Sequence, residues 1–408
     1  MIPKGWSSQK LSSVASIIDC KHRTPKYVKS GIPLVSPGTI KWGALDLISP
    51  VKRVTEEEYR SLMDHCVVEQ GDLVMSRNQS VGVVSYVDSK KPFVLGQDTV
   101  LIKAIHADWR FIYYTLQSDL VQRQIAKSAG GSTFSRINLS DIRALNIKTP
   151  AICEQDKISQ ILTAWDKAIS VTEKLLTNSQ QQKKALMQQL LTGKKRLLDE
   201  NGVRFSGEWK ITKLIQMGKV VSGGTPDTNM AMYWEGDILW LTPTDVTALT
   251  GRFVSNTSRK ITPAGLLNSS AVLLPKGSLM VCTRATIGAL AISTSEICTN
   301  QGFKNIIPNE GFNIEFIYYL LQMNTNEMIK KSSGSTFLEL SKKDFETLSF
   351  SCPFIKEQQK IAAVLSAADT EISTLEKKLA CLKDEKKALM QQLLTGKRRV
   401  KVDEAVAA

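Results

Sequence analysis

Histidine is nearly absent from this 408-residue chain: three residues, His22, His65 and His106, all lie in its first half. The seven cysteines, Cys20, Cys66, Cys153, Cys282, Cys298, Cys352 and Cys381, are an odd number and scattered, and are read as forming no CxxC and no motif with a nearby histidine. Free, reduced thiols are expected, with neither a disulfide framework nor a zinc site. No apolar run approaches the roughly 18 residues that a membrane span needs. The opening MIPKGWSSQKLSSVASIID lacks the charged-then-apolar layout and cleavage site of a signal peptide, so a cytoplasmic location is expected. The GxxxxGK[ST] phosphate loop, GxGxxG, HExxH, G-x-S-x-G and the [ND]PP[FY] amino-methyltransferase signature are all missing. Acidic residues are also in deficit, 39 Asp+Glu against 53 Lys+Arg, giving a formal charge of +14 and a pI near 9.3. With 42% hydrophobic and 23% charged residues, the chain reads as globular and long enough for more than one domain.

What is present is one unit written twice. KKALMQQLLTGKKR, from Lys183, returns as KKALMQQLLTGKRR from Lys386, 203 residues later. The same offset relates GSTFSRINLSDIRALNIKTPAICEQDKISQIL, from Gly131, to GSTFLELSKKDFETLSFSCPFIKEQQKIAAVL, from Gly334. It also relates Trp6, Lys10 and Leu11 to Trp209, Lys213 and Leu214. Because every histidine lies in the first copy, histidine-based catalysis by both copies is excluded. Between the matching flanks the copies share only scattered positions, among them Gly71/Gly277, Gly82/Gly288 and Gln97/Gln301. Like frames with unlike contents suggest two readers of one class with different targets.

Within each copy, short apolar runs broken by turn residues, GDLVMSRNQSVGVVSYV and KGSLMVCTRATIGALAI, predict strands and hairpins. A helix is expected over FIYYTLQSDLVQRQIAKSA and over FIYYLLQMNTNEMIKKS. A Gly/Ser/Thr loop follows, then a short helix capped near Ser140 and a strand at NIKTP, with Pro150 ending the globular part. Beyond that proline the period changes. Ile158, Leu162, Trp165, Ile169, Thr172, Leu176, Ser179, Lys183, Leu186 and Leu190 alternate spacings of four and three. So do Ile361, Leu365, Ala368, Ile372, Leu375, Leu379, Leu382, Lys386, Leu389 and Leu393. Such heptads predict long helices that pack on one another, stopped at Gly193 and Gly396. At about 35 residues each they span about 50 Å, more than the radius of a small domain.

A +14 chain with Lys, Arg, Ser, Thr, Asn and Gln in its loops suits a polyanion. Lys and Arg neutralise phosphates, while Arg, Asn and Gln can bond base edges. Two copies with divergent interiors strengthen that reading. A nuclease is the weaker alternative: Pro226-Asp227 has its nearest downstream [DE]xK match at Glu376-Lys377-Lys378, inside the second long helix, whereas metal ligands must converge on one site.

GSTF, then a hydrophobic stretch with Asp141 or Asp344, then TPAICEQDKISQIL or CPFIKEQQKIAAVL, then a helix ending QQLLTGK, resembles the specificity (S) subunit of type I restriction-modification enzymes, the HsdS family. The resemblance covers essentially the whole chain. It implies an α+β fold with two globular α/β target recognition domains, joined by two long antiparallel helices as a coiled-coil spacer, in a pseudo-twofold internal repeat. The implied domains are 1–152 and 201–355 for recognition, with helical spacers at 153–200 and 356–408. Any N-terminal conserved segment is expected to be very short. The implied role is non-catalytic: double-stranded DNA is read at an asymmetric bipartite target, while methyltransferase (M) subunits, two of them, and restriction (R) subunits dock on the chain. No cofactor is expected in this chain; S-adenosylmethionine, ATP and Mg belong to the partner subunits.

Candidate DNA contacts in the first domain are Arg77, Asn78, Gln79, Gln97, Ser132, Thr133 and Arg136. In the second they are Thr283, Arg284, Thr286, Gln301, Ser335 and Thr336. Arg77 and Arg284 lead because each follows a strand-like run in the reading hairpin. Lys194 to Arg196 and Lys397 to Arg399 are further phosphate candidates, although a helix end also favours cations through its dipole. The rival reading is a free-standing two-headed DNA-binding regulator or architectural protein.

Overall fold

The computed structural model describes residues 2–49, 52–130, 135–334 and 338–401. It divides into two units, residues 1–172 with 378–408, and residues 173–377.

In the first unit a five-stranded sheet contains β1 (Ala15–Asp19), β2 (Gly43–Ala44), β3 (Leu73–Ser76), β4 (Val84–Tyr86) and β5 (Thr99–Ala104), in the order β1-β5-β3-β4-β2. The expected hairpin is the antiparallel pair β3 and β4, with Leu73 opposite Tyr86 and Met75 opposite Val84. Side chains alternate across the sheet. Met75, Val84, Val100 and Ile102 pack with Phe111 and Ile112 on one face, while Val74 and Leu101 join Phe93 and Val94 on the other. Both faces are buried, which is why these strands read as continuous apolar runs instead of alternating ones. A three-stranded sheet (Arg53–Val54, Ile32–Val35, Val94–Leu95) and a pair (Ser7–Lys10 with Asn146–Thr149) complete it.

The second unit repeats every one of these elements: β6 (Gly218–Ser222), β7 (Phe253–Val254), β8 (Leu279–Cys282), β9 (Leu290–Ser293) and β10 (Phe303–Pro308), in the order β6-β10-β8-β9-β7. Its three-stranded sheet joins Arg259–Ile261, Trp234–Leu241 and Cys298–Thr299, and its pair joins Lys210–Lys213 with Ser349–Cys352.

Two local expectations are corrected. The single helix expected over FIYYTLQSDLVQRQIAKSA is two, Trp109–Gln117 and Asp119–Ala129. Ser118 takes an extended backbone between them, and its hydroxyl accepts the Val121 amide, since serine favours a cap over a helix interior. Asn324 divides Ile314–Met323 from Thr325–Lys330 at the matching place. The short helix expected to be capped near Ser140 has Asn138 in the cap position, two residues earlier, and starts at Leu139.

The long helices are α1 (Ile152–Leu190) and α2 (Ile355–Leu393), 39 residues each. All twenty heptad positions are buried or half-buried. Gly193 and Gly396 take φ of 71° and 70°, the left-handed conformation that ends a helix and that glycine adopts without strain. Each helix starts in one unit and ends in the other. In the first unit Lys386 pairs with Asp166 at 2.5 Å, and Arg399, just past α2, pairs with Glu154 at 2.7 Å. In the second, Lys183 pairs with Asp369 at 2.5 Å and Arg196 with Glu357 at 2.6 Å. One residue number falls as the other rises, so the two helix segments inside each unit are antiparallel. Leu393 and Leu394 close the first unit's core and Leu190 and Leu191 the second's, so each core is completed by the other copy's helix end. All seven cysteines are free thiols. Among the described residues no helix is long and apolar enough to cross a membrane.

Candidate nucleic-acid interface

Three loops meet at one corner of each five-stranded sheet: the hairpin turn, the segment entering the strand next to it, and the segment before the short helix. In the first unit the Arg77 amide donates to the Asp98 carbonyl (2.8 Å) and the Ile137 amide to the Arg77 carbonyl (3.0 Å). In the second the Thr283 amide donates to the Gly302 carbonyl and the Leu340 amide to the Thr283 carbonyl, both at 2.9 Å. Isolated bridges Asn78↔Arg136 and Arg284↔Glu339 finish the corner. At the hairpin tips Gln79 and Ala285 hold φ of 60° and 61°. A non-glycine residue in that region is strained by about 1 kcal/mol or more, and such strain gathers at functional sites. Three residues on, Gly82 (φ 79°) and Gly288 (φ 88°) cannot be replaced cheaply: a Cβ would stand 2.8 Å from Ile125 and 2.3 Å from Thr325.

These bonds set the true equivalence of the two copies. Arg77 corresponds to Thr283 and Asn78 to Arg284, so the two leading arginines stand one position apart. A step of one residue moves a side chain from one face to the other. Arg77 is accordingly buried, 5% exposed, whereas the Arg284 side chain is 47% exposed.

Arg77 donates from Nη1 to Asp19 Oδ1 at 2.7 Å and from Nε to the Ile137 carbonyl at 3.2 Å. Burial alone would raise the Asp19 carboxyl, but the hydrogen bond and charge of Arg77, joined by His22, hold it below the ordinary carboxylate range. The Arg77 guanidinium therefore ties β1 and the loop before the short helix to the hairpin through Nε and Nη1. Thr283, at the matching position, is fully buried and its hydroxyl donates to the Gly302 carbonyl at 3.2 Å.

Solvent at the first corner meets Gln79, Gln97 and Arg136. Gln97 Nε2 donates to Thr24 Oγ1 at 3.1 Å, and Arg136 pairs with Asp98 at 2.8 Å. Half-buried Asn78 accepts the Gln79 amide at 2.6 Å. At the second corner Arg284, Thr286 and Gln301 are exposed. Arg284 approaches Glu339 only to 3.9 Å, and Thr225 donates a hydroxyl bond to Gln301. Ser132, Thr133, Ser335 and Thr336 lie outside the described residues, as do Phe134 and Phe337. The two corners share backbone bonding and differ in charge order: Asn78 faces Arg136 where Arg284 faces Glu339.

Arg196 and Arg399 are not free phosphate ligands, since both are held by glutamates. Asp227 Oδ1 accepts the backbone amide of Asn229 (2.9 Å), closing a turn. One grouping of metal-ligand type exists among the described residues, Asp19, Cys20 and His22, with ligand atoms within 4.8 Å of one another. Cys20 and His22 lie two positions apart, which corrects the expectation that no cysteine stands with a nearby histidine. The Arg77 guanidinium already occupies Asp19, and burial pushes the Cys20 thiol up, so the group is a poor fit for a cation. Also missed was the second unit's aromatic stack. Trp234 and Trp240 meet edge to face at 4.9 Å, and the Arg259 guanidinium lies 3.6 Å from the centre of Trp234.

The domain family described as type I restriction modification DNA specificity domain matches residues 3–178 and again 206–383. The chain belongs to that family. The specificity subunit of the type I restriction enzyme MjaIX of Methanocaldococcus jannaschii is 40% identical over 172 residues, 42% of this chain and 40% of that relative's length. The putative MjaX specificity subunit of the same organism is 25% identical over 426 residues, covering 98% of this chain and 95% of the relative. Among solved structures, the S subunit of a type I restriction-modification system from M. genitalium shares the fold with a TM-score of 0.60 at 16% identity, over 96% of both chains. The two family segments coincide with the internal repeat, and each holds one three-loop corner.

Proposed function

We propose that the chain is the DNA specificity subunit of a type I restriction-modification system, each unit reading one half of an asymmetric, bipartite target. The observation that carries this reading is the paired corner. One backbone bonding pattern presents Gln79, Gln97 and Arg136 in one unit and Arg284, Thr286 and Gln301 in the other. Arg, Gln and Thr are side chains that bond base edges, and a fixed frame with exchanged side chains is what two half-sites of different sequence require. The long helices, about 58 Å each at 1.5 Å per residue, then set the gap between the half-sites. Methyltransferase and restriction subunits assemble on the chain and supply the chemistry with S-adenosylmethionine, ATP and Mg, this chain being non-catalytic. A free-standing regulator has no observation of its own in its favour.

The test is modified-base sequencing of DNA from a methylation-free host carrying this gene with its partner methyltransferase gene, against the same host lacking this gene. An interrupted, asymmetric methylated motif that depends on this chain is the expected result. Methylation at an uninterrupted site, or methylation that persists without this chain, would overturn the reading.

A further inference from the structure

Lys304, in β10, stands opposite Ser222 of β6 and Val281 of β8. Directly opposed residues share a face, so its side chain starts from the apolar layer that holds Ile306 and Leu340. It is 7% exposed, and its ammonium has no hydrogen bond or ion pair among the described residues; its stem is buried while its Nζ still reaches solvent. Burial depresses its ammonium below the ordinary lysine range; Glu339 works against that and Lys342 adds to it.

The repeat shows what is unusual. In the first unit the matching position is Val100, which stands opposite Asp19. The buried cation there is Arg77, at the Thr283 position, and Asp19 neutralises it at 2.7 Å. Both units thus bury one cation at the corner. The second moves it onto β10 and replaces the neutralising carboxylate by Ser222. Holding an ammonium largely out of water without a partner is costly, and a fold keeps such a group, with its tip still reachable, where a ligand supplies the missing acceptor.

We propose that Lys304 is a specificity-determining residue of the second unit, donating to a single acceptor atom of DNA, a base-edge nitrogen or oxygen or a phosphate oxygen. The inference rests on the DNA-specificity reading above. Unit 1, with its cation neutralised internally, makes no matching contact.

The experiment uses the full chain assembled with its methyltransferase, comparing wild type, Lys304→Met and Lys304→Gln. Three things are measured: the methylated motif, affinity for duplexes carrying that motif, and Tm. Lys304→Met is expected to raise Tm, because a desolvated charge is removed, and to weaken the cognate duplex about 10- to 100-fold through one half-site alone. If the acceptor is on a base, the motif relaxes at one position of that half-site. If it is a phosphate, all sequences weaken alike and the slope of log affinity against log salt falls by about one. Unchanged motif and affinity in a folded Lys304→Met protein would overturn the proposal, as would a lower Tm with loss of both half-sites in both variants, which marks a structural lysine. Failure of the specificity reading itself shows in the wild-type arm, as the absence of any bipartite motif, and takes this inference with it.

Discussion

Arg196 and Glu357 form a two-point clasp, Nε to Oε1 and Nη2 to Oε2 both at 2.6 Å, and Trp209 Nε1 donates to the same carboxylate at 3.2 Å. Arg399, Glu154 and Trp6 repeat it in the other unit at 2.7, 2.8 and 3.2 Å. Both glutamates are buried, so removing either arginine strands a carboxylate away from water. Arg196→Met is expected to destabilise the second unit by about 3 kcal/mol, as for a broken buried pair. Calorimetry should show a lowered transition, and Arg399→Met should lower the first unit's. An unchanged transition would mean the clasp contributes nothing.

The Asp19–Arg77 pair predicts an acid limb. The Asp19 carboxyl is depressed in the folded state, so its contribution is present above the unfolded value, about pH 4. That stability is lost as pH falls through the folded value. Asp19→Asn should flatten denaturant-measured stability below about pH 4 and lower it at neutral pH, where Arg77 loses its counter-charge. Parallel pH profiles for variant and wild type would refute the pairing's role.

Thiol reactivity should sort by burial. Burial pushes Cys282 and Cys352 up to about 12 and Cys298 to about 11, so in the native protein they should resist iodoacetamide. Cys381 is exposed on α2, yet its thiol is held above the ordinary range because it donates to Glu385 (3.2 Å), whose charge adds to the effect. Glu385→Gln is expected to speed alkylation of Cys381, read by mass spectrometry. An equal rate would show that the bond does not persist in solution.

The repeat made the frame legible: heptads, glycine stops, hairpins and the two-copy plan follow from local spacing, which the chain states twice. Partner choice did not follow. Glu154 and Arg196 lie in one copy, and Glu357 and Arg399 in the other, yet each glutamate takes the other copy's arginine. No local spacing carries an exchange between copies. The arginine pairing misled for a related reason: Arg77 and Arg284 look equivalent beside strands of the same pattern, but the hairpins are in register and the arginine stands one residue further along in the second, which buries one and exposes the other. Lys304 was hidden because a lone lysine in an apolar run gives no sign of lacking a counter-charge.

The helices offer a geometric check. Deleting one heptad from both α1 and α2 removes about 10 Å, equal to about three base pairs at 3.4 Å each. The methylated motif should keep both half-sites and lose about three base pairs of spacer. An unchanged spacer with intact binding would separate the helices from spacing.

Arg284 provides the sharpest test of the corner. It holds the place of Asn78 and meets Glu339 at only 3.9 Å, with both side chains nearly half exposed, so a surface pair of little worth leaves the guanidinium available. Arg284→Ala should leave Tm nearly unchanged and cost about 1–3 kcal/mol of binding at one half-site, with relaxed sequence preference there, if the contact is to a base edge. A uniform loss on every sequence would make it a phosphate contact. Arg77→Ala should behave in the opposite way, lowering Tm because it unpairs Asp19. If both variants shifted the motif and neither shifted Tm, the one-residue offset between the two arginines would be wrong.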